Sequence, residues 1–252
     1  MMLHAALPLD LPGWLTPLLL IYARIQACLM TMPAIGERVL PVRVRVAAAV
    51  ALVPLYAGAA PAMPPPGLLP LAALMGVEIA SGLVLGLMVR VVAMALDVGA
   101  TAIAQSASLS AMLGVSDEMA PHPIGNLLHM AGMAALMALG LPLFICQVLT
   151  DSFALKPAGL WPDIGAIWPE FWRLVIHSLT LAMLIASPFI LGGLLFQTLA
   201  GVVARVMPAM PIVFVAAPAA ILLGLTVLTL LAPGLLSIWA RDVLSLQPAV
   251  LR

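Results

Sequence analysis

Six apolar runs, separated by short clusters of proline, glycine and charge, set the pattern of this chain. Ile212 to Trp239 contains no charged residue, and Leu174 to Val203 has only His177 as a titratable group. Leu127 to Val148 carries only His129, and Leu68 to Met88 only Glu78. Roughly 20 helical residues cross a hydrocarbon core about 30 Å thick, so each of these runs predicts one membrane-length helix. Two further runs are less uniform: Leu15 to Met32 holds Arg24 and Gln26, and Val44 to Ala60 is short and opens with Arg45. The reading is an all-α integral membrane chain of helical hairpins, with about six hydrophobic helices forming one membrane-embedded domain over residues 1–252.

The breaks define the hairpins. Pro33 to Pro41 is a short polar elbow between the first two helices. Ala57 to Gly67 has three consecutive prolines and no charge, which suits an extended connector. Gly114 to Gly125 and Asp151 to Glu170 are the other polar stretches. The turn at Arg205 to Pro211, containing Pro208, is short enough to make its flanking helices antiparallel neighbours.

Residues 91–126 break the pattern. Val91 to Ala104 is apolar but holds Asp97, and the small polar stretch Gln105 to Ser110 follows before Met112 and Leu113. A helix that loses its apolar character part-way predicts a broken or re-entrant segment, tolerated at membrane depth only against protein or a cavity. Ser108, Leu109, Ser110, Met112 and Leu113 are therefore the candidates for lining or blocking a passage. Methionine suits a deformable seal, which fits Met112 and Met119. Met130, Met133 and Met137, at helical spacing, read instead as core filling.

Composition sharpens this picture. Only 10 basic and 10 acidic side chains occur in 252 residues, and 64% of the chain is hydrophobic. A soluble domain is charged at about a quarter of its positions. A mean hydropathy of +1.21 means that lipid or other apolar chains must solvate this polypeptide. So few cations argue against nucleic acid as a partner. If the six runs alternate, Arg38, Arg43, Arg45, Arg90 and Arg205 share one side, against Lys156, Arg173, Arg241 and Arg252. That slight excess favours termini outside the cytoplasm. Met1 to Gly13 has no basic stretch of the kind that opens a cleavable leader.

The candidate chemistry is sparse. Glu78 is a carboxylate inside an apolar run, costly unless paired, and Arg24 is its most obvious counter-charge. A single pair provides no proton relay, so its expected role is to fix how the hairpins pack. Asp97 has two readings, lining a polar passage or lying at a helix end near the headgroups, and Arg90 two turns earlier favours the second. Gly82 and Gly86 form a GxxxG, which permits close helix contact without naming the partner. Cys28 and Cys146 are far apart, and the four histidines show no ligand spacing. HExxH and GxSxG motifs are absent. No cofactor or metal is expected, and no enzymatic activity. A secondary transporter would need two related halves and convergent polar groups, neither of which is evident.

Several of these residues, taken in order, resemble the FliR family of flagellar biosynthetic proteins and its type III secretion counterparts. Arg24 precedes Pro33 and the stretch Pro41-Val42-Arg43-Val44-Arg45. Glu78-Ile79 with Gly82 and Gly86, then Asp151-Ser152-Phe153 with Pro157 and Gly159, follow in sequence. Pro208 and Pro218, with Phe214 between them and Ile221-Leu222-Gly224 after, are similar to the family's closing hairpin. The resemblance implies a structural and gating subunit of a bacterial protein-export gate, in the inner membrane at the flagellar basal body. Its partners would be FliP-type and FliQ-type subunits and an FlhB-type protein, with unfolded exported proteins passing through and membrane lipid around it. Residues around 106 to 120 would be the plug that closes the passage. An injectisome subunit of the same family is the alternative.

Overall fold

The computed structural model describes residues 13–37, 40–59, 67–107, 123–160, 164–206 and 213–246, and these contain helices and connections with no strand. The helices are α1 (Leu15–Thr31), α2 (Val42–Leu52), a 3-10 segment (Val53–Ala59), α3 (Leu68–Ala107), α4 (Pro123–Ala138), α5 (Leu141–Leu155), α6 (Ile164–Val206) and α7 (Val213–Ser245). Four helical stretches are long and apolar enough to cross a membrane, or five if α4 and α5 count as one bent span. α1, at 17 residues, falls short of that length alone.

The apolar run Leu127 to Val148 is therefore two helices rather than the single one expected. Gly140 leaves helical geometry with φ +107°, and Pro142 stands in the first turn of α5. Proline has no N–H for the preceding turn and its ring crowds the carbonyl four residues back, so a helix through this point is blocked. Gly140 also lies where a side chain strains the backbone. Gly140→Ala should cost about 1–2 kcal/mol, seen as a lower thermal midpoint of the purified chain in detergent. The helix starting at Leu68, by contrast, outruns its expected end at Met88 and continues to Ala107. Most of the interruption expected within 91–126 falls on residues 108–122, outside the described residues.

Contacts group the chain into two compact units, one of residues 1–92, 140–175 and 244–252, the other of residues 93–139 and 176–243. In the first, α1 is the most enclosed element: Leu20, Ile21, Ile25 and Cys28 are fully buried. Tyr56 caps this core, its hydroxyl donating to the Cys146 carbonyl at 2.9 Å and its ring lying 5.2 Å from that of Phe153. In the second unit the anchor is Trp239, fully buried, whose indole N–H donates to the Ala93 carbonyl at 3.2 Å. Gly132 of α4 lies against Leu96 and the Trp239 ring. His177 of α6 meets Asp242 of α7, so the start of one helix lies beside the end of the other, as an antiparallel hairpin requires.

Candidate functional site

The first unit is organised around one buried ion pair. Arg24 on α1 and Glu78 on α3 are 1% and 0% exposed, and a charge so placed must be matched and fully hydrogen-bonded. The guanidinium meets the carboxylate as a fork: Nε donates to Oε2 at 2.6 Å and NH2 to Oε1 at 3.1 Å. The outward nitrogen, NH1, donates to the Lys156 carbonyl at 2.8 Å and to the Ser152 hydroxyl at 3.2 Å. The Gly159 amide donates back to Glu78 Oε1 at 2.6 Å. The Phe153 ring lies under the guanidinium, 4.5 Å from Cζ to the ring centroid.

Four pieces of chain are thereby tied at one point: α1, α3, the end of α5, and the turn from Lys156 to Gly159. Lysine at position 24 could not do this, because one ammonium cannot present a planar fork to Glu78 while also reaching two acceptors behind it. The Lys156–Gly159 turn is shaped for its part. Gly159 holds φ +98°, a backbone conformation open to glycine, and this turn carries its N–H to the carboxylate. Every charge at the site is satisfied internally. The arrangement is a fastening, with one fork of charge holding all four pieces of chain.

Gly82 and Gly86 extend the same contact. A methyl group on Gly82 would collide with the Arg24 carbonyl and come within 2.9 Å of Ala27 Cβ. One on Gly86 would strike the Thr31 hydroxyl and come 2.6 Å from the Cys28 carbonyl. The partner of the GxxxG is thus α1 of the same chain. Pairings 24 with 78, 27 with 82 and 31 with 86 rise together, so α1 and α3 run parallel. The ladder ends at the Pro33–Pro41 elbow, where Arg90 NH2 reaches Glu37 at 2.9 Å and Arg45 NH2 donates to the Leu40 carbonyl at 2.8 Å. Pro41 is the residue preceding α2, and Pro33 follows the end of α1 by two residues.

A family model described as "Bacterial export proteins, family 1" matches residues 15–246. The chain belongs to this family of export proteins. Among relatives, it is similar to the flagellar biosynthetic protein FliR of Caulobacter vibrioides, 28% identical over 229 residues, covering 87% of this chain and 90% of that protein. The match places the chain within the FliR family and spans the whole Arg24–Glu78 site, from α1 through the Gly159 turn.

Other candidate residues of this FliR-family chain stand as follows. Ser108, Leu109, Ser110, Met112, Leu113 and Pro208 lie outside the described residues. Pro218 belongs to helix α7, not to a turn. Asp97 is not at a helix end: α3 continues ten residues beyond it, and its Oδ1 lies 2.6 Å from Nδ1 of His129 on α4. The methionine stripe is not core either, since Met130 and Met137 are 53% and 44% exposed. The buried face of α4 is set by Leu128, Gly132 and Leu136; Met130 and Met137 lie on the other side, and Met133 is half-buried between the two. Among the described residues no three of His, Cys, Asp and Glu converge on one point.

Sequence reasoning gave no role to Ser152, Phe153, Lys156 or Gly159, which complete the site. Their signal was the resemblance of Asp151-Ser152-Phe153 with Pro157 and Gly159 to a segment of the export family, noted without a partner. Lys156 contributes its backbone carbonyl, which no side-chain pattern could reveal.

Proposed function

We propose that this chain is a structural and gating subunit of the flagellar type III protein-export gate, built into the inner membrane at the basal body together with FliP-type and FliQ-type chains and close to an FlhB-type protein. It performs no catalysis; unfolded export substrates pass through the assembly. The family match over residues 15–246 carries this reading. Its physical support is the apolar outer face of α6 and α7: Met183, Leu195, Leu199 and Leu230 are 72%, 68%, 64% and 74% exposed. Such faces are stable only under lipid or neighbouring apolar chains. The closed Arg24–Glu78 site agrees with it, being a fastening that holds a subunit in one shape.

Co-expression tests the assembly. With the FliP-type and FliQ-type chains of its own organism, the tagged protein should co-purify as one species of defined stoichiometry; recovery without either partner counts against the reading. Residues 106–120 are proposed as the plug, closed by steric blockage and displaced on opening. Deleting residues 107–118 should leave that assembly intact and make the membrane leaky to small solutes. Unchanged permeability would remove the plug from the proposal.

A further inference from the structure

The ion pairs of the two units use different cations. In the first unit the three paired glutamates, Glu78, Glu37 and Glu170, are each held by an arginine: Arg24, Arg90 and Arg173. In the second, both described aspartates are held by histidines, Asp97 by His129 and Asp242 by His177. The guanidinium stays charged throughout the physiological range, whereas an imidazole changes charge between about pH 5 and pH 8.

Geometry gives the difference a consequence. Asp97–His129 joins α3 to α4 at 2.6 Å, and His177–Asp242 joins α6 to α7 at 2.7 Å. The two rings are 30% and 46% exposed, so neither is sealed inside the unit. α4 packs through Gly132 on Leu96 of α3 and Trp239 of α7. Within this unit the charged groups described on those helices are Asp97 on α3 and Arg241 and Asp242 on α7; α6 adds His177 and, exposed near its end, Arg205. Asp242 has a further interaction besides His177, so Asp97–His129 is the cleaner pair to test.

We propose that Asp97–His129, with His177–Asp242 as its counterpart, is a proton-responsive clip. Proton uptake by the imidazole converts a hydrogen bond between a neutral ring and the carboxylate into a salt bridge and tightens one helix on the next. The direction follows from the pairing. Acidification favours the clipped state as long as the aspartate stays ionised; raising the pH leaves only the weaker bond from a neutral ring and loosens the second unit. The arginine-held first unit does not respond over the same range. The inference is independent of which export system the chain serves.

Hydrogen–deuterium exchange on the full chain in detergent tests it, with rates normalised to intrinsic exchange. Between about pH 5.5 and pH 8.5, protection of residues 93–107 and 123–138 should fall about fivefold, the upper range for gaining a partly exposed ion pair. Residues 15–31 serve as the internal reference and should not change. His129→Gln keeps a donor but cannot titrate, and His129→Arg is a permanent cation; both should give a flat profile, the arginine variant at the protected level. Should the glutamine variant fail to fold, the arginine variant carries the comparison. A flat profile in the wild type, or an unaltered pH response in the folded variants, overturns the proposal.

Discussion

Replacing Arg24 with alanine should destabilise the chain by about 3–5 kcal/mol, the usual cost of leaving one member of a buried ion pair alone. The direct loss is at Glu78, a carboxylate with no exposed surface that would keep only the Gly159 amide as a donor. The Lys156 carbonyl and the Ser152 hydroxyl lose their guanidinium donor in the same step. Cys28 supplies the readout. It is fully buried one turn from Arg24, so in a Cys146→Ser background, which removes the other, half-buried thiol, its reaction with a thiol-specific dye on heating reports the parting of α1 from α3. Dye uptake should begin at a markedly lower temperature in Arg24→Ala than in the wild type. Unchanged onset would mean that the pair does not fasten these helices.

The paired replacement Arg24→Met with Glu78→Leu separates charge from connectivity. Exchanging a simple buried ion pair for apolar residues of similar size is often neutral or stabilising. Here the double variant should recover only part of the single variant's loss. Removing both charges still strips the Gly159 amide of its acceptor and the Lys156 carbonyl of its donor. A buried polar group left unsatisfied costs about 1–3 kcal/mol. Full recovery would show that the links to the Lys156–Gly159 turn carry no weight. Arg24→Lys should fall between the two, keeping charge but losing the fork.

How much of this was legible in the sequence divides along physical lines. Composition compels a membrane chain, and the apolar runs locate all the long helices. Arg24 and Glu78 could be matched because so few charges interrupt those runs that each has few possible partners. The length of α3 was not legible, because Asp97 and the polar residues after it lower the apolar signal, while an unbroken backbone depends on hydrogen bonds that side-chain hydropathy does not report. The bend at Gly140 was obscured for the opposite reason: glycine and proline between apolar neighbours leave the hydropathy high while ending the helix. The histidine pairs were missed because spacing was sought within the chain, whereas His129–Asp97 and His177–Asp242 are separated by 32 and 65 positions and meet only on folding. The facing direction of Met130 and Met137 required knowing which side of α4 Trp239 covers.

Enlarging Gly86 should part α1 from α3 by a different route from Arg24→Ala, with a cost that grows with the side chain added. A Cβ at this position meets the Thr31 hydroxyl and the Cys28 carbonyl of α1. The hydroxyl belongs to a side chain and can turn away; the carbonyl is backbone and cannot. Gly86→Ala therefore forces α1 outward by a few tenths of an ångström, at about 1–3 kcal/mol, the range for overpacked cores. Gly86→Val cannot be accommodated without separating the helices, and should leave no folded chain recoverable from the membrane. Gly82 is the sharper position, because the Arg24 carbonyl that its Cβ would strike belongs to the residue holding Glu78. Displacement there lengthens the hydrogen bonds of the fork, so Gly82→Ala and Arg24→Ala should be less than additive in the Cys28 assay, since each weakens the same contact. Additive losses would mean that glycine packing and the charge pair act as separate fastenings. Gly76, whose added Cβ would meet nothing within 4 Å, is the control: Gly76→Ala on the same helix should leave the onset unchanged or raise it slightly.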